Sequence, residues 1–538
     1  MKKLLYILTF LFVACFVQAT NYYVDKATGN NADNGTTEAL AWETITYAAS
    51  AASGIGPGDN IYVKAGTSYG NEKVVMEVSG TAENRISFIG YKTTPGDAKD
   101  DWVYPDDAQD AAEMPYLEYG TVTGGPAFHF SDEEYITIKN FQTLYYKLGV
   151  HVIGGYNIVE NFYIKNPGGI TGVTDHTGIH LDGNKRLLDG EYINDSDSSK
   201  VVNCIVVNPT GMGIEVRSDY DTILNCRVYC DNDDGVDNDG TDYYIVVVGR
   251  FNHVDSCYTY RDPSIEHAGH GIGIKGTWID STQYNTISNS TSVNMDENFW
   301  VAHRGATYNT FTNNTVIGGV TAYHFRDGAS NNTFNGGVAH GSRSLISGND
   351  GPEDGGAQYA GRYNEFLNLV ADSCTYGFEF RRPNSYYLDT ELDSCYVYNC
   401  NFYECDTLFL TMLENHGNLM INCNITGTPV LESVGSEWAN NFTITHSDFY
   451  DGFSKPAGTG NIEVDPLFTD APNDDWTLGT GSPCIDAGTD VGLDYYGAAP
   501  DMGAFETEEA EPPVTHPRSL STNGRGSFRK SGGRFIKQ

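Results

Sequence analysis

Seven short segments of the sequence carry acids, bases and histidines at two recurring positions. The segments are residues 178–183, 213–218, 235–240, 271–276, 300–305, 323–328 and 377–382. Their later position reads Asp182, Arg217, Asp239, Lys275, His303, Arg326 and Arg381. The position two residues earlier reads His180, Glu215, Asp237, Gly273, Val301, His324 and Glu379. Since alternate residues of a strand point to the same side, both rows are predicted to line one outer face. Rows of titratable groups suit a groove that binds and cuts an extended polymer.

β-Elimination on a uronate residue is the chemistry that these side chains suit best. It needs a group that neutralises the carboxylate, a base for the acidified proton, and an acid for the leaving oxygen. Lys275 is the first candidate base, because neighbouring arginines favour its neutral form by like-charge repulsion. His303 and His324 are alternative bases, since imidazole titrates near neutral pH. The guanidinium groups predicted to bind the carboxylate are those of Arg304, Arg326 and Arg381.

Further side chains of this face are predicted to contact the polymer. They are Arg217, Asp239, His270, Trp300, Tyr323, Glu379 and Arg381. The alignment assumes a register, and a slip of one residue would expose Arg304 in place of His303. A simpler interpretation is a solvated charge ladder, in which Asp239 and Lys275 neutralise each other.

The elements that position these residues come from an internal repeat. The repeated segments include YDTILNC (220–226), YNTISNS (284–290), YNTFTNN (308–314) and YNEFLNL (363–369). Asn285, Asn309 and Asn332 are 24 and 23 residues apart. Each unit alternates apolar and polar residues over a few positions, which is typical of short strands. A period of about 22 residues without helical segments predicts an all-β solenoid, a right-handed parallel β-helix with corner asparagines stacked between coils.

Both ends carry segments that would cover the open edges of such a stack. Residues 42–53 have an amphipathic helical pattern and are predicted to form an N-terminal capping helix. This opening and the segment 461–506 resemble the ends of many secreted bacterial β-helix proteins. The predicted division is a signal peptide (1–19), an N-terminal cap with the first coils (20–120), a β-helix body with the groove (121–460), a closing segment (461–506) and a disordered tail (507–538).

The compartment and partners follow from the first residues, the charge and the cysteines. A basic start and an apolar run too short to span a bilayer predict secretion by way of a signal peptide. The formal net charge of −39 argues against nucleic acid or an anionic membrane as partner, and a capped solenoid is expected to be a monomer.

Cysteines recur in one sequence context at Cys204, Cys226, Cys257, Cys374, Cys395 and Cys423. We expect stacked, buried thiols there, with a disulfide framework as the alternative.

The central coils resemble the alginate lyase and chondroitinase B group of β-helix lyases, over roughly residues 265–340. Lys275, followed by His303-Arg304-Gly305 ahead of YNTFTNN, carries the likeness. It implies that Lys275 is the base and that Arg304 acts with it on an acidic polysaccharide. The sequence departs from the group in its His-Arg order, in the extra residues 277–283, and in HAGHG (267–271) where an acidic calcium motif is expected.

Two other functions remain open. The run DNDDGVDNDGTD (231–242) with Gly269-His270-Gly271 is similar to sequences of the polygalacturonase group, which implies hydrolysis by Asp234, Asp237 and Asp239 assisted by His270. The same run is also typical of a calcium-binding loop, with Asp234 and Asp237 as ligands. The last alternative is a non-catalytic solenoid that binds glycans along the charged face.

Overall fold

The computed structural model describes residues 19–120, 124–168, 176–183, 186–188, 191–193, 198–231, 241–265, 269–276, 282–303, 305–349, 359–380, 391–411, 415–432, 442–507, 528–531 and 534–537. Within these ranges the regular structure is almost entirely β-strand. The described part of the chain contains no helix long and apolar enough to cross a membrane. Residues 1–18 of the predicted signal peptide lie outside these ranges.

Most of the strands belong to two large parallel sheets. The first sheet has 24 strands: Asn21–Val24, Asn60–Lys64, Ile86–Tyr91, Tyr116–Glu118, Ile136–Leu144, Ile158–Lys165, Lys200–Val202, Ile205–Val207, Thr222–Leu224, Arg227–Cys230, His253–Asp255, Tyr258–Arg261, Thr286–Ser288, Thr291–Val293, Thr310–Ile317, Thr333–His340, Glu365–Leu367, Val370–Asp372, Tyr396–Tyr398, Asn401–Tyr403, Asn418–Ile421, Asn424–Thr426, Phe442–Thr445 and Asp448–Tyr450.

The second sheet positions the candidate site and is called the thirteen-stranded sheet below. Its strands are Val74–Val75, Pro126–Phe130, Leu148–Val152, Thr177–Leu181, Met212–Val216, Tyr243–Val247, His270–Lys275, Glu297–Ala302, Thr321–Arg326, Ser344–Asn349, Tyr376–Phe380, Thr407–Thr411 and Val430–Glu432. Smaller sheets pair Arg186–Leu188 with Glu191–Ile193, Thr282–Gln283 with Ala306–Thr307, Phe468–Asp470 with Asp475–Leu478, and Tyr359–Arg362 with Glu391–Asp393 and Asn415–His416.

Each coil contributes strands to both large sheets and then stacks on the next coil. Ile287 pairs with Phe311, Phe311 with Phe334, and Phe334 with Phe366, so equivalent residues of successive coils lie side by side. The rings of Phe334 and Phe366 stack with centroids 5.0 Å apart inside the coil. This confirms the predicted right-handed parallel β-helix, the hand that crossovers between parallel strands adopt.

Asparagines determine where the coils turn and how they stack. Corner residues with positive φ include Asn225, Asn289, Asn313, Asn368 and Asn399, and asparagine tolerates this left-handed conformation better than most residues. A second, buried set forms a ladder between coils. The backbone N–H groups of Asn285, Asn309 and Asn332 each donate a 3.0 Å hydrogen bond to the side-chain oxygen of the next ladder asparagine, which ends at Asn364. The predicted asparagine stack is confirmed.

The N-terminal helix is shorter than the pattern over 42–53 predicts. An α-helix spans Ile45–Ala49, and 3₁₀ turns follow at Ala51–Ser53 and precede it at Glu38–Leu40. Thr44 caps the helix by accepting a 3.2 Å hydrogen bond from the N–H of Tyr47. Trp42 therefore precedes the helix, and its buried indole donates to the carbonyl of Asp33. A further 3₁₀ turn lies at Ala471–Asn473.

The closing segment packs on the coils, and the tail contains two paired strands. Residues within 461–506 pack on the last coils, where Asn424 donates to the carbonyl of Met502. Phe528–Ser531 pairs with Arg534–Lys537 in an antiparallel sheet.

The cysteines of the coils are free and buried, as the recurring contexts predict. Ten described cysteines are free thiols with buried side chains. Cys226 lies between Cys204 and Cys257 in successive coils, and burial holds the pKa of its thiol well above the usual range. These side chains act as small apolar groups of the core.

Candidate active site

Two rows of side chains run along the outer face of the thirteen-stranded sheet. The first row consists of residues paired from strand to strand: His129, His151, His180, Glu215, Val246, Gly273, Trp300, His324, Ser347 and Glu379. The second row lies two residues later along the chain. Lys275, Ala302 and Arg326 end their strands, and Asp182, Arg217 and Val248 come directly after theirs. The predicted rows are therefore right at His180, Glu215, Lys275, His324, Arg326 and Glu379, among others.

The predicted alignment is wrong in the coil that contains the acid-rich run. The strand there is Tyr243–Val247, so Val246 and Val248 take the places expected for Asp237 and Asp239. The physical reason is that the apolar segment YYIVV packs better in the sheet than GVDNDG does. GVDNDG begins and ends with glycine, as other aligned segments do, and this similarity led to the wrong alignment. The carboxylates proposed for hydrolysis or calcium, Asp234, Asp237 and Asp239, lie outside the described residues.

The predicted register of residues 300–305 is also wrong, by one residue. Trp300 pairs with Gly273 and His324, so Val301 points inward and Ala302 takes the outward place expected for His303. A one-residue slip moves side chains to the opposite face of a strand. His303 instead lies at the following corner with φ 71°, and its Nδ1 is 3.7 Å from Asp327 Oδ2. Arg304 and Arg381 lie outside the described residues.

Tyr323 does not face the groove, which corrects its expected role in substrate binding. Its side chain is only 1% exposed, and its ring packs inside the coil against Phe299 and Phe334, with centroids 5.9 and 5.4 Å away. Trp300 does lie on the outer face, although neighbouring groups bury it completely. Neither aromatic ring offers an exposed stacking surface.

Lys275 is paired with a tyrosine that the alignment omitted. Lys275 Nζ donates a 2.8 Å hydrogen bond to Tyr243 Oη, and the same nitrogen lies 4.7 Å from the centre of the tyrosine ring. Burial and the nearby Asp242 raise the pKa of Tyr243, whereas Lys275 opposes this rise. The Tyr243 hydroxyl is thus protonated at neutral pH and able to donate a proton.

A carboxylate between two imidazoles lies beside this pair. Glu297 Oε2 is 3.0 Å from His270 Nδ1, and Glu297 Oε1 is 3.3 Å from His324 Nε2. Burial alone would raise the pKa of Glu297, but the charges of His324, His270 and Arg326 outweigh it and hold that pKa well below its usual range. Burial lowers the pKa of His324, whose Nδ1 contacts Ser347 Oγ at 2.5 Å. Glu297 is therefore ionised and lies within ion-pair distance of both rings.

Two cavities open on this face. One, of about 200 Å³, is lined by Asp296, Glu297, Thr321, His324, Ser347 and Glu379. The other, of about 130 Å³, is lined by Glu215, Arg217, Tyr243, Val248 and Lys275. Burial raises the pKa of Glu379, and Arg343, whose Nε is 3.1 Å from Glu379 Oε2, opposes the rise. The first cavity therefore contains two glutamates whose pKa values move in opposite directions.

Tyr243, His270 and Glu297 form a third outward row, of which sequence analysis found only His270. They are paired on successive strands, three residues before the row of Gly273 and Trp300. The spacing is three rather than two because two consecutive residues, such as Tyr244 and Ile245, both point into the core. A search by strict alternation misses this row. The signal that finds it is a titratable side chain three residues before the first-row position of a strand, as Glu297 is before Trp300.

Comparison with known proteins gives distant likenesses only. No family model matches the chain. A stretch of 73 residues is 32% identical to a lacto-N-biosidase of Bifidobacterium longum subsp. longum, which covers 13% of this chain and 5% of that protein.

Solved structures similar to this chain include pectate lyase Pel9A, with a TM-score of 0.36 and 16% identity over 92% of this chain and 98% of that one. A mannuronic acid specific family 6 lyase from human gut microbiota has a TM-score of 0.45 and 10% identity over 85% and 94% of the two chains. A lacto-N-biosidase from Eubacterium ramulus has a TM-score of 0.38 and 14% identity over 70% and 67%. The β-helical fold stated above rests on the two parallel sheets of this chain itself.

Proposed function

We propose that this chain is a secreted enzyme that cleaves a uronate-containing polysaccharide by β-elimination on the outer face of the thirteen-stranded sheet. The observation that carries the proposal is the 2.8 Å hydrogen bond between Lys275 Nζ and Tyr243 Oη, in the same groove as Arg326. Lys275 and Arg326 belong to one outward row and are separated by the strand of Ala302. Two strand spacings amount to about 9.6 Å between the backbones, a distance across which both long side chains can reach the same sugar ring.

Arg326 is the group proposed to bind the uronate carboxylate. Its side chain is partly buried, with Nη1 3.9 Å from Glu297 Oε1 and Nε 3.6 Å from Asp327 Oδ2, which restrains the guanidinium. Neutralising the carboxylate makes the adjacent C–H more acidic, because the carbanion charge then delocalises onto oxygens held by a cation.

The proton transfers are assigned to the Lys275–Tyr243 pair. Neutral Lys275 removes the C–H proton, the electron pair forms the new C=C bond, and the C–O bond to the leaving sugar breaks. Tyr243 gives its hydroxyl proton to the leaving oxygen. The Lys275 ammonium then returns a proton to the Tyr243 phenolate through their hydrogen bond, which restores both groups. His270, stacked on Tyr243 with ring centroids 5.0 Å apart and bound to Glu297, positions the tyrosine.

The test is a screen of polyuronates and sulfated uronate glycans with two readouts, near-ultraviolet absorbance of an unsaturated product and reducing ends. We expect both signals with at least one substrate. Lys275→Met and Tyr243→Phe should each lower kcat by at least about 100-fold, the usual contribution of a general acid or base. Arg326→Ala should mainly raise KM. Lys200→Met, an exposed lysine on the other sheet, is the matched control. Full activity of Lys275→Met, or a lack of cleavage of any uronate polymer, would refute the proposal.

Hydrolysis is a second candidate, favoured by the two glutamates of the larger cavity. Acid–base assignments in glycosidases follow from carboxyl groups whose pKa values are pushed apart, and Glu379 and Glu297 show this pattern. Glu379 would then protonate the leaving oxygen and Glu297 would act as base or nucleophile. The same screen decides between the two: reducing ends without near-ultraviolet absorbance, abolished by Glu379→Gln but not by Lys275→Met, assign hydrolysis.

A further inference from the structure

A row of three histidines crosses adjacent strands at the N-terminal end of the same outer face. His129, His151 and His180 are paired in register, and their rings stack with centroids 5.0 and 5.1 Å apart. Glu215 continues the row on the next strand, and Asp182 lies two residues beyond His180. These residues are not used by the proposed elimination, since Asp182 is three strands, or about 14 Å, from Lys275 in its row.

The potential ligand atoms converge on one point. His151 Nε2 is 3.3 Å from Asp182 Oδ2, and His180 Nε2 is 3.9 Å from Asp182 Oδ1. One ligand atom from each of His151, His180 and Asp182 lies within 4.8 Å of the other two. Two ligand atoms that each lie about 2.1 Å from a tetrahedral ion are about 3.4 Å apart, so only a small movement of these side chains is required to bind an ion.

Neighbouring groups hold these ligands in place. The imidazoles of His151 and His180 are largely buried, each with 16% of its side chain exposed, whereas Asp182 is 35% exposed. Glu215 Oε2 lies 3.3 Å from His180 Nε2, and Arg217 fixes the other oxygen of Glu215 through a 2.6 Å hydrogen bond. The half-open side at Asp182 leaves room for an ion to enter and for water as a further ligand.

We propose that His151, His180 and Asp182 form a binding site for a divalent transition-metal ion of the zinc type. Two imidazole nitrogens and one carboxylate are a ligand set that zinc, nickel and copper prefer, whereas calcium takes oxygen ligands. Glu215 lies close enough to His180 to serve as a fourth ligand. His151, His180 and Asp182 are at one end of the groove and do not line the cavity of the Lys275–Tyr243 pair, so binding of a metal ion does not depend on the reaction assigned to that pair.

The experiment uses the full chain without an affinity tag, treated with a chelator and dialysed. Zinc chloride is titrated in by calorimetry, and cobalt chloride is followed by visible absorption, which reports tetrahedral coordination. We expect one zinc ion per chain and cobalt bands typical of nitrogen and oxygen ligands. His180→Ala and Asp182→Asn should each weaken zinc binding by at least about 100-fold, more than the loss of an outer-shell contact costs.

Two control variants separate this site from other histidines. His253→Ala removes an exposed imidazole on the 24-stranded sheet, and His340→Ala breaks the second group of potential ligands, His340 with Asp372 and Asp474. Both should bind zinc as the unmodified chain does, and circular dichroism checks that every variant is folded. The proposal is overturned if the unmodified chain binds neither ion, if a folded His180→Ala variant keeps full affinity, or if His340→Ala alone abolishes binding.

Discussion

The indole ring of Trp300 lies directly against Gly273 of the adjacent strand. A Cβ added to Gly273 would stand 2.1 Å from Trp300 Cε2, closer than any real contact allows. The same indole packs against Tyr243 and His270, with ring centroids 5.1 and 5.5 Å away. The missing side chain of Gly273 therefore determines where Trp300 lies, and Trp300 in turn supports the tyrosine that pairs with Lys275.

Replacing Gly273 by alanine should displace Trp300. Overpacking of this kind costs about 1–3 kcal/mol, and we expect a lower melting temperature together with a loss of activity through Tyr243. Trp300→Leu in the same background should restore much of the stability, because the smaller side chain leaves room for the new methyl group. Gly125→Ala, where an added Cβ meets no atom within 4 Å, is the control. Unchanged stability of Gly273→Ala would contradict this packing.

Glu297 should stabilise the fold through its charge. Its lowered pKa means that the stabilisation is fully present above the ordinary value of 4.5 and is lost only as the pH falls through the lower, folded-state pKa. Glu297→Gln should reduce the free energy of unfolding at pH 7 by about 3 kcal/mol, as for other buried pairs that lose one partner. Denaturant titrations measure the free energy of unfolding, and the difference between Glu297→Gln and the unmodified chain should shrink in strong acid. The exposed Glu404→Gln serves as control; an equal effect of both variants would argue against a special role for Glu297.

The buried asparagine ladder should contribute strongly to stability. The Asn309 side chain accepts from the N–H of Asn285 and donates to the carbonyl of Thr282 and to Asn332 Oδ1, at 3.0–3.1 Å. Asn309→Ala leaves buried groups of two coils without hydrogen bonds, at about 1–3 kcal/mol for each. Thermal unfolding should show a drop of several degrees, whereas Asn313→Gly, at an exposed corner with positive φ, should change little. Equal losses in both variants would contradict the ladder.

The stability of the closing segment should depend on pH through Glu506. Burial, with the charges of Asp501 and Asp486, raises the pKa of Glu506 from 4.5 to about 7. Between these values the unfolded chain releases the proton first, so the free energy of unfolding falls as the pH rises. Glu506→Gln cannot ionise, and its melting temperature should fall less than that of the unmodified chain between about pH 5 and pH 8. The exposed Glu463→Gln should keep the original pH profile, and a Glu506→Gln profile of the same slope would contradict the assignment.

The placement of the candidate side chains in the outward rows was predictable from the sequence where the repeat is regular. Lys275, His324 and Arg326 lie in the expected rows because glycines and alternating apolar residues mark their strands unambiguously. Asp239 and His303 were misplaced because a pattern of period two carries no information about slips of one residue or about which of two adjacent segments enters the sheet.

The sequence by itself determined the parallel β-helix, its asparagine ladder and its buried cysteines, since each is a local pattern repeated at the period of one coil. Only the tertiary structure decided that Tyr243 meets Lys275, that Glu297 lies between His270 and His324, and that Tyr323 belongs to the core. These relationships join residues about one to two coils apart. They depend on a break in strand alternation and on burial, neither of which is a property of the local sequence.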